Sequence, residues 1–213
     1  SPKLELNDIG FLRQADKITQ YAGATRLFTK PTNWYRRAQV GVEQFTTYDF
    51  EGNYNRFQIE LQGDINYKNN WWSEGGVAYK PIIYSNTVLR GGPRWRWSDE
   101  HFFYFFSGTN QSKKFSGTLG YIYSQAKQNN FGLRKYEARL NYQPLNALSL
   151  SLAAEYASNP NKTQYASQQD YVGITRYILS EIDQETLSAT LRINYSFNPN
   201  LTLQYYGQPF IAT

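Results

Sequence analysis

The sequence predicts an all-β fold: an antiparallel meander of transmembrane type, built as part of a closed β-barrel in an outer membrane. Three observations predict it. Side chains alternate apolar and polar with a period of two over long stretches, which places one apolar row and one polar row on opposite faces of each strand. Every second connection is short and polar, while the intervening ones are long, the rim asymmetry of membrane barrels. Aromatic residues stand directly beside the short turns, where a membrane interface would hold them as a girdle.

Reading outward from the clearest runs gives about ten strands in order, and no helix is needed. The first, 16–29, ends on Phe28 before the turn Lys30-Pro31-Thr32-Asn33. The second, 35–49, starts after Trp34 and leads into a longer connection, Tyr48 to Asn55. The third, 54–67, alternates most strictly: Phe57, Ile59, Leu61 and Ile65 against Gln58, Glu60, Gln62 and Asp64. It closes on Tyr67 and the turn Lys68-Asn69-Asn70, and the fourth, 71–84, opens on Trp71-Trp72. A long connection leads to the fifth, 92–108, which reaches the turn Asn110-Gln111-Ser112-Lys113 before the sixth, 114–126. The seventh, 132–143, sets Tyr136, Ala138, Leu140 and Tyr142 against Lys135, Glu137, Arg139 and Asn141. After Pro144-Leu145-Asn146, the eighth (147–168) alternates Leu148, Leu150, Leu152, Ala154 and Tyr156 with Ser149, Ser151 and Glu155. The ninth, 175–197, does so with Leu187, Ala189, Leu191, Ile193, Tyr195 and Phe197, and Asn198-Pro199-Asn200 turns it into the tenth, 201–213. Residues 1–15 read as a leading loop segment of the single domain.

Composition narrows the class. The 213 residues hold 19 Tyr, 13 Phe and 5 Trp but neither Cys nor Met, which suits strands and interfaces better than a helical core. Mean hydropathy is −0.66 and no run of about 18 apolar residues occurs, so helical spans are excluded. Without cysteine there is no thiol nucleophile and no Cys zinc site. The net charge of +5 is spread along the chain without a basic cluster, so a nucleic-acid partner is not expected, and no cofactor motif occurs. No signal peptide opens the chain: one was removed, or this is an internal piece of a longer polypeptide. A transmembrane sheet with open edges would leave backbone groups unpaired in lipid, so further strands before Ser1 or after Thr213, or a partner chain, are expected.

The polar parity supplies candidate lumen-lining residues: Arg37, Glu43, Glu60, Asp64, Glu74, Lys80, Arg94, Arg96, Lys135, Glu137, Arg139, Glu155 and Arg192. They read either as a pore or sugar-binding lumen, with Trp95 and Trp97 lending apolar surface beside Arg94 and Arg96, or as a ladder of ion pairs filling a narrow barrel. The girdle candidates are Trp34, Tyr67, Trp71, Trp72, Tyr142, Tyr195 and Phe197. Strands 147–168 and 175–197 run about twice the 9 to 11 residues a tilted span needs, so their hairpin projects into water. It offers Tyr165, Tyr171 and Tyr177 with Asp170, Glu181, Asp183 and Glu185 as a rim surface for a partner or glycan, or as a rigid hairpin of paired aromatics.

His101 is the only imidazole, so an outer-membrane hydrolase of esterase or phospholipase type would depend on it. No Gly-x-Ser-x-Gly elbow accompanies it, and an interfacial polar residue is the simpler account. The acids of Asp49 to Asn55 and the row Glu181, Asp183 and Glu185 offer oxygen ligands for calcium or lipid-bridging divalent ions, but without an EF-hand pattern they read as solvated loop groups, and Arg90-Gly91-Gly92-Pro93 reads as a strand bend without the lysine of a phosphate loop.

Several stretches resemble one family in order along the chain: Asn7-Asp8-Ile9-Gly10-Phe11-Leu12-Arg13 with Ala15-Asp16, Asn69-Asn70-Trp71-Trp72, and Leu89-Arg90-Gly91-Gly92-Pro93. They continue in Ile182-Asp183-Gln184-Glu185-Thr186-Leu187-Ser188, Leu191-Arg192-Ile193-Asn194-Tyr195-Ser196-Phe197 and Gln208-Pro209-Phe210. The chain thus resembles the carboxy-terminal barrel region of the DUF5916 family of Bacteroidota envelope proteins. The resemblance implies an outer-membrane barrel, preceded in many members by a module similar to family 9 carbohydrate-binding modules. It therefore implies a non-enzymatic role in binding or passing glycans at the cell surface, with the lipid bilayer, glycans and further strands or subunits of an envelope complex as partners; a purely structural barrel of such a complex is the alternative. This chain contains no such module.

Overall fold

Period-two alternation allows a chain to satisfy its backbone groups only by lying beside another strand, and the computed structural model, which describes residues 16–213, does so throughout. Its strands are β1 (Ile18–Phe28), β2 (Tyr35–Tyr48), β3 (Tyr54–Tyr67), β4 (Trp72–Ser85), β5 (Trp95–Trp97), β6 (Glu100–Gly108), β7 (Phe115–Ala126), β8 (Gly132–Leu145), β9 (Leu148–Tyr171), β10 (Ile174–Asn198), β11 (Leu201–Gly207) and β12 (Phe210–Ala212). All pairings are antiparallel, in the order β1-β2-β3-β4-β6-β7-β8-β9-β10-β11, with β5 beside β4 and β12 beside β10. Among the described residues β1 bonds only to β2, and β11 and β12 only to β10, so the sheet is not closed on itself. The leading segment 1–15 and the Asn7-to-Arg13 stretch lie outside the described residues.

The observed strands match the expected ones closely, and a proline accounts for one of the differences. Expected strand 201–213 is cut into β11 and β12 at Gln208-Pro209, where a ring nitrogen has no hydrogen to give; the Pro209 carbonyl instead accepts from the Ala189 amide at 3.1 Å. Expected strand 92–108 starts later and is cut into β5 and β6 at Ser98-Asp99. Beside that cut, β4 carries one residue more than β3: Phe57 faces Ile82 while Ile59 faces Tyr79. Pro81 lies inside this bulge, where a missing donor does least harm. No helix was expected, and one 3₁₀ turn, Lys127–Asn129, joins β7 to β8, with Gln128 and Asn129 at positive φ.

Cross-strand register sorts the side chains. One face carries Val42 opposite Leu61, Leu61 opposite Val77, and Val77 opposite Phe103. It continues through Phe105 with Tyr121, Tyr121 with Tyr136, Leu140 with Leu152, Leu152 with Leu191, and Ile193 with Tyr205. Most of this row is exposed, from 36% for Phe103 to 53% for Tyr205. Only Ala78, Leu89 and Ala126 are buried apolar residues among those described. The fold therefore builds no internal apolar core, and its largest apolar surface points outward.

The other face is polar and concave. Trp72 of β4 and Thr190 of β10 line one cavity of about 490 Å³. Five strand steps separate them, about 24 Å in a flat sheet, so the sheet must curl toward its polar side.

Candidate functional site

The concave face carries most of the residues that the polar parity singled out. Glu60 and Asp64 stand on β3, opposite Glu43 and Gln39 of β2; Asp64 also faces Glu74 of β4. Like charges directly opposite each other repel. Here amides mediate: Gln62 Nε2 donates to Glu43 Oε1 at 2.6 Å, Gln58 Nε2 donates to Glu60 Oε2 at 2.8 Å, and the Tyr104 hydroxyl donates to Gln62 Oε1 at 3.1 Å. Arg37, nearer the short turns, donates to Gln39 Oε1 at 3.1 Å.

Across the sheet the same face is ion-paired. Glu137 and Glu155 face each other, and Lys135 Nζ joins them at 2.8 and 3.0 Å. Lys80 Nζ lies 2.7 Å from Glu100 Oε1, which also accepts from Ser124 Oγ at 2.7 Å, and the ammonium sits over the Phe102 ring. Arg192 covers the Tyr206 ring at 5.0 Å, while Arg139 faces Thr118 and Ala153. Ion pairs on this face therefore stand on β8–β9 and between β4 and β6, whereas none of Glu43, Glu60, Asp64 and Glu74 makes a salt bridge among the described residues.

The β4 bulge changes what the loop end of this face offers. Ile83 stands opposite both Arg56 and Trp97, so Trp97 shares the polar face, where its ring meets Phe131 at 5.3 Å. Trp95 lies on the same side, 6.3 Å from Trp97. Arg96, opposite Tyr84, points to the other face, which inverts the expected arrangement of Arg96 and the two tryptophans. One extra residue in β4 reverses every parity beyond it. Arg94 is taken up in a loop contact instead: its guanidinium lies over Tyr84 and bonds Asn55 Oδ1 and the Tyr54 carbonyl, fastening the loop before β5 to the start of β3. Trp95 Nε1 and Arg56 Nε are buried donors without a partner among the described residues.

The β9–β10 hairpin, with strands of 24 and 25 residues, runs longer than its neighbours, and its tyrosines are partly covered. Arg90 lies over the Tyr165 ring at 5.4 Å, Arg176 lies over Tyr171 at 4.6 Å, and Tyr177 presses against Gly92. Glu181, Asp183 and Glu185 are exposed and continue the row of Leu187 and Leu191, so they extend the apolar face beyond its apolar part. Lys162 approaches Glu181 at 3.9 Å.

Of the expected girdle, Trp34 (60% exposed), Trp71, Tyr142 and Phe197 are exposed, with Trp34 against Tyr35 and Tyr67, and Tyr195 against Phe197. Trp72 departs from it. Its ring lies over Gly108 on the polar face, because adjacent strand residues alternate sides and Trp71 and Trp72 cannot share one. His101 lies on the apolar face, stacked on Tyr79 at 4.9 Å, whose hydroxyl donates to Asp99 Oδ2 at 3.3 Å; among the described residues no serine is hydrogen-bonded to the imidazole.

The β2–β3 connection turns on Asp49, a buried acceptor for the amides of Asn53 and Glu51 at 2.7 and 3.1 Å and for Asn53 Nδ2 at 2.9 Å. Burial by itself raises its pKa, but these hydrogen bonds and the Arg94 charge outweigh burial and hold the carboxyl below its ordinary value. Among the described residues no group of three or more His, Asp or Glu side chains could hold a metal ion.

Residues 1–211 match the family model DUF5916, a domain of unknown function. No curated protein and no solved structure matches the chain.

Proposed function

This chain belongs to the DUF5916 family, and we propose that its sheet is part of a non-enzymatic outer-membrane β-barrel that binds or passes glycans at the cell surface. One observation carries the membrane reading: an exposed apolar face runs from Val42 on β2 to Tyr205 on β11, with no second layer against it among the described residues. Water disfavours such a face, and hydrocarbon does not. The open edges at β1 and β11 are then completed by further strands, of the same polypeptide or of a partner in an envelope complex, because unpaired edge groups in lipid cost several kcal/mol each.

The glycan reading is supported by the loop end of the concave face. Trp95, Trp97 and Phe131 offer flat rings for sugar faces. Tyrosines of the projecting hairpin add a second aromatic surface. Titrating neutral oligosaccharides against the folded protein should change tryptophan emission, and Trp97→Ala should weaken binding about tenfold while the fold persists. Esterase or phospholipase turnover that disappears in His101→Ala would instead establish the hydrolase reading, for which His101 on the apolar face is the relevant placement.

A further inference from the structure

The apolar face is not uniformly convex. Gly63 of β3 and Gly75 of β4 stand directly opposite each other on it, leaving the face without side chains at that point. The result is a trough of about 550 Å³, walled by Val40, Leu61, Ile65, Val77, Phe103 and Phe105. Neither glycine has room for a side chain without movement: a Cβ on Gly63 would meet the Gln39 carbonyl at 2.9 Å, and one on Gly75 the Tyr104 carbonyl at 2.9 Å. The trough is therefore built into the sheet itself.

At its short-turn end the trough meets a second cavity of about 500 Å³, and Tyr67 and Ser73 line both. The chemistry changes across that boundary. The second cavity is bounded by Trp34, Trp71, Lys68 and Asn69. Tyr67 donates to Ser73 Oγ at 3.4 Å, and Ser73 and Ser107 share a hydrogen bond of 2.9 Å, so hydroxyls mark the division. Lys68 makes no salt bridge among the described residues, and it lies in the turn whose amide bonds the Trp34 carbonyl at 3.0 Å. An apolar trough thus opens, across a hydroxyl boundary, onto a cavity that holds an indole pair and an ammonium without a salt bridge among the described residues, the parts of an amphiphile's binding site.

We propose that this composite groove is a binding site for one anionic glycerophospholipid. An acyl chain lies in the trough over the Gly63–Gly75 pair. The ester region sits beside Tyr67, Trp34 and Trp71, whose amphipathic rings favour that depth. The phosphate is held by Lys68. Charge complementarity selects a lipid over a hydrocarbon side chain of another protein, since the apolar trough opens onto a cation rather than onto more apolar surface. The site rests on the membrane reading given above and deepens it.

The test uses protein folded into phosphatidylcholine vesicles containing phosphatidylglycerol with brominated acyl chains. Bromines quench nearby indoles, so emission from Trp34 and Trp71 should fall more than with brominated phosphatidylcholine at the same fraction. Unlabelled phosphatidylglycerol should restore the emission, while inorganic phosphate should not. After transfer to detergent, native mass spectrometry should find one phosphatidylglycerol retained per protein. Lys68→Gln should weaken retention about fivefold, the loss of one near-surface cation. Val40→Phe, which fills the trough and keeps the face apolar, should abolish retention, and a heat-modifiability gel confirms that each variant is folded. Retention unchanged in both folded variants overturns the site, as does equal quenching by the two brominated lipids. In either of those cases the membrane reading stands. Protein that enters no bilayer overturns both.

Discussion

At the scale of single residues, glycine and aromatic partners decide how the concave face is surfaced. Trp72 covers Gly108, Tyr104 covers Gly76 and Phe106 covers Gly120, each ring occupying the place of the missing side chain. Gly108→Val should expel the Trp72 ring and destabilise the protein by about 1–3 kcal/mol, measured as a shift of the urea unfolding midpoint. Equal stability would mean that the ring contributes nothing where it lies. Asp49 is a second such residue. Its folded pKa is depressed, so its contribution is fully present above the unfolded value and is lost as pH falls through the folded one. Asp49→Ala should speed exchange of the Asn53 and Glu51 amides about tenfold at neutral pH, and the difference from the unmutated protein should vanish in acid once the carboxyl is protonated. Sequence reading marked Asp49 only as a loop acid, because hydrogen bonds within a turn depend on its backbone path. Trp72 shows another limit: proximity to a turn suggested a girdle residue, while strict alternation already separated it from Trp71.

At the scale of elements, the alternation of β3, β8, β9 and β10 was legible because each strand's period is a local property. The parity of β5 was not. Its three residues inherit their sides from a bulge in β4, and nothing in Trp95-Arg96-Trp97 itself reports it, although Pro81 within a strand was a usable signal. The β9–β10 hairpin, with strands of 24 and 25 residues, extends well beyond the lengths of its neighbours. Its tip is joined to the rest through Arg90 on Tyr165 and Gly92 against Tyr177. Deleting residues 160–180 removes those contacts but none of the pairings of β1 to β8, and should leave a folded protein that still changes mobility on heating, with glycan or partner binding at the rim abolished. Unchanged binding removes the hairpin as a binding surface, and loss of the folded form shows that the loop contacts are structural.

At the scale of the whole molecule, the exposed apolar face distinguishes two environments by a single substitution. Leu140 lies midway along β8, 46% exposed, between Gly117 and Leu152. In a bilayer, Leu140→Arg should cost about 2–4 kcal/mol, whereas on a water-exposed strand the change should stay within about 0.5 kcal/mol. Folding titrations in phospholipid vesicles measure the difference, and a near-zero effect there would remove the bilayer from the account. The sequence by itself determined that this chain is an antiparallel meander with one apolar and one polar face, because a two-residue period, turn chemistry and strand length are all set within a few residues. Only the tertiary structure decided that the sheet curls toward its polar side, that its two edges remain apart, that Trp97 rather than Arg96 shares the concave face, and that two glycines from different strands meet to form one trough. Each of these depends on register between strands, and register is set by pairing across the sheet, where one bulged residue reverses the sides of all that follow.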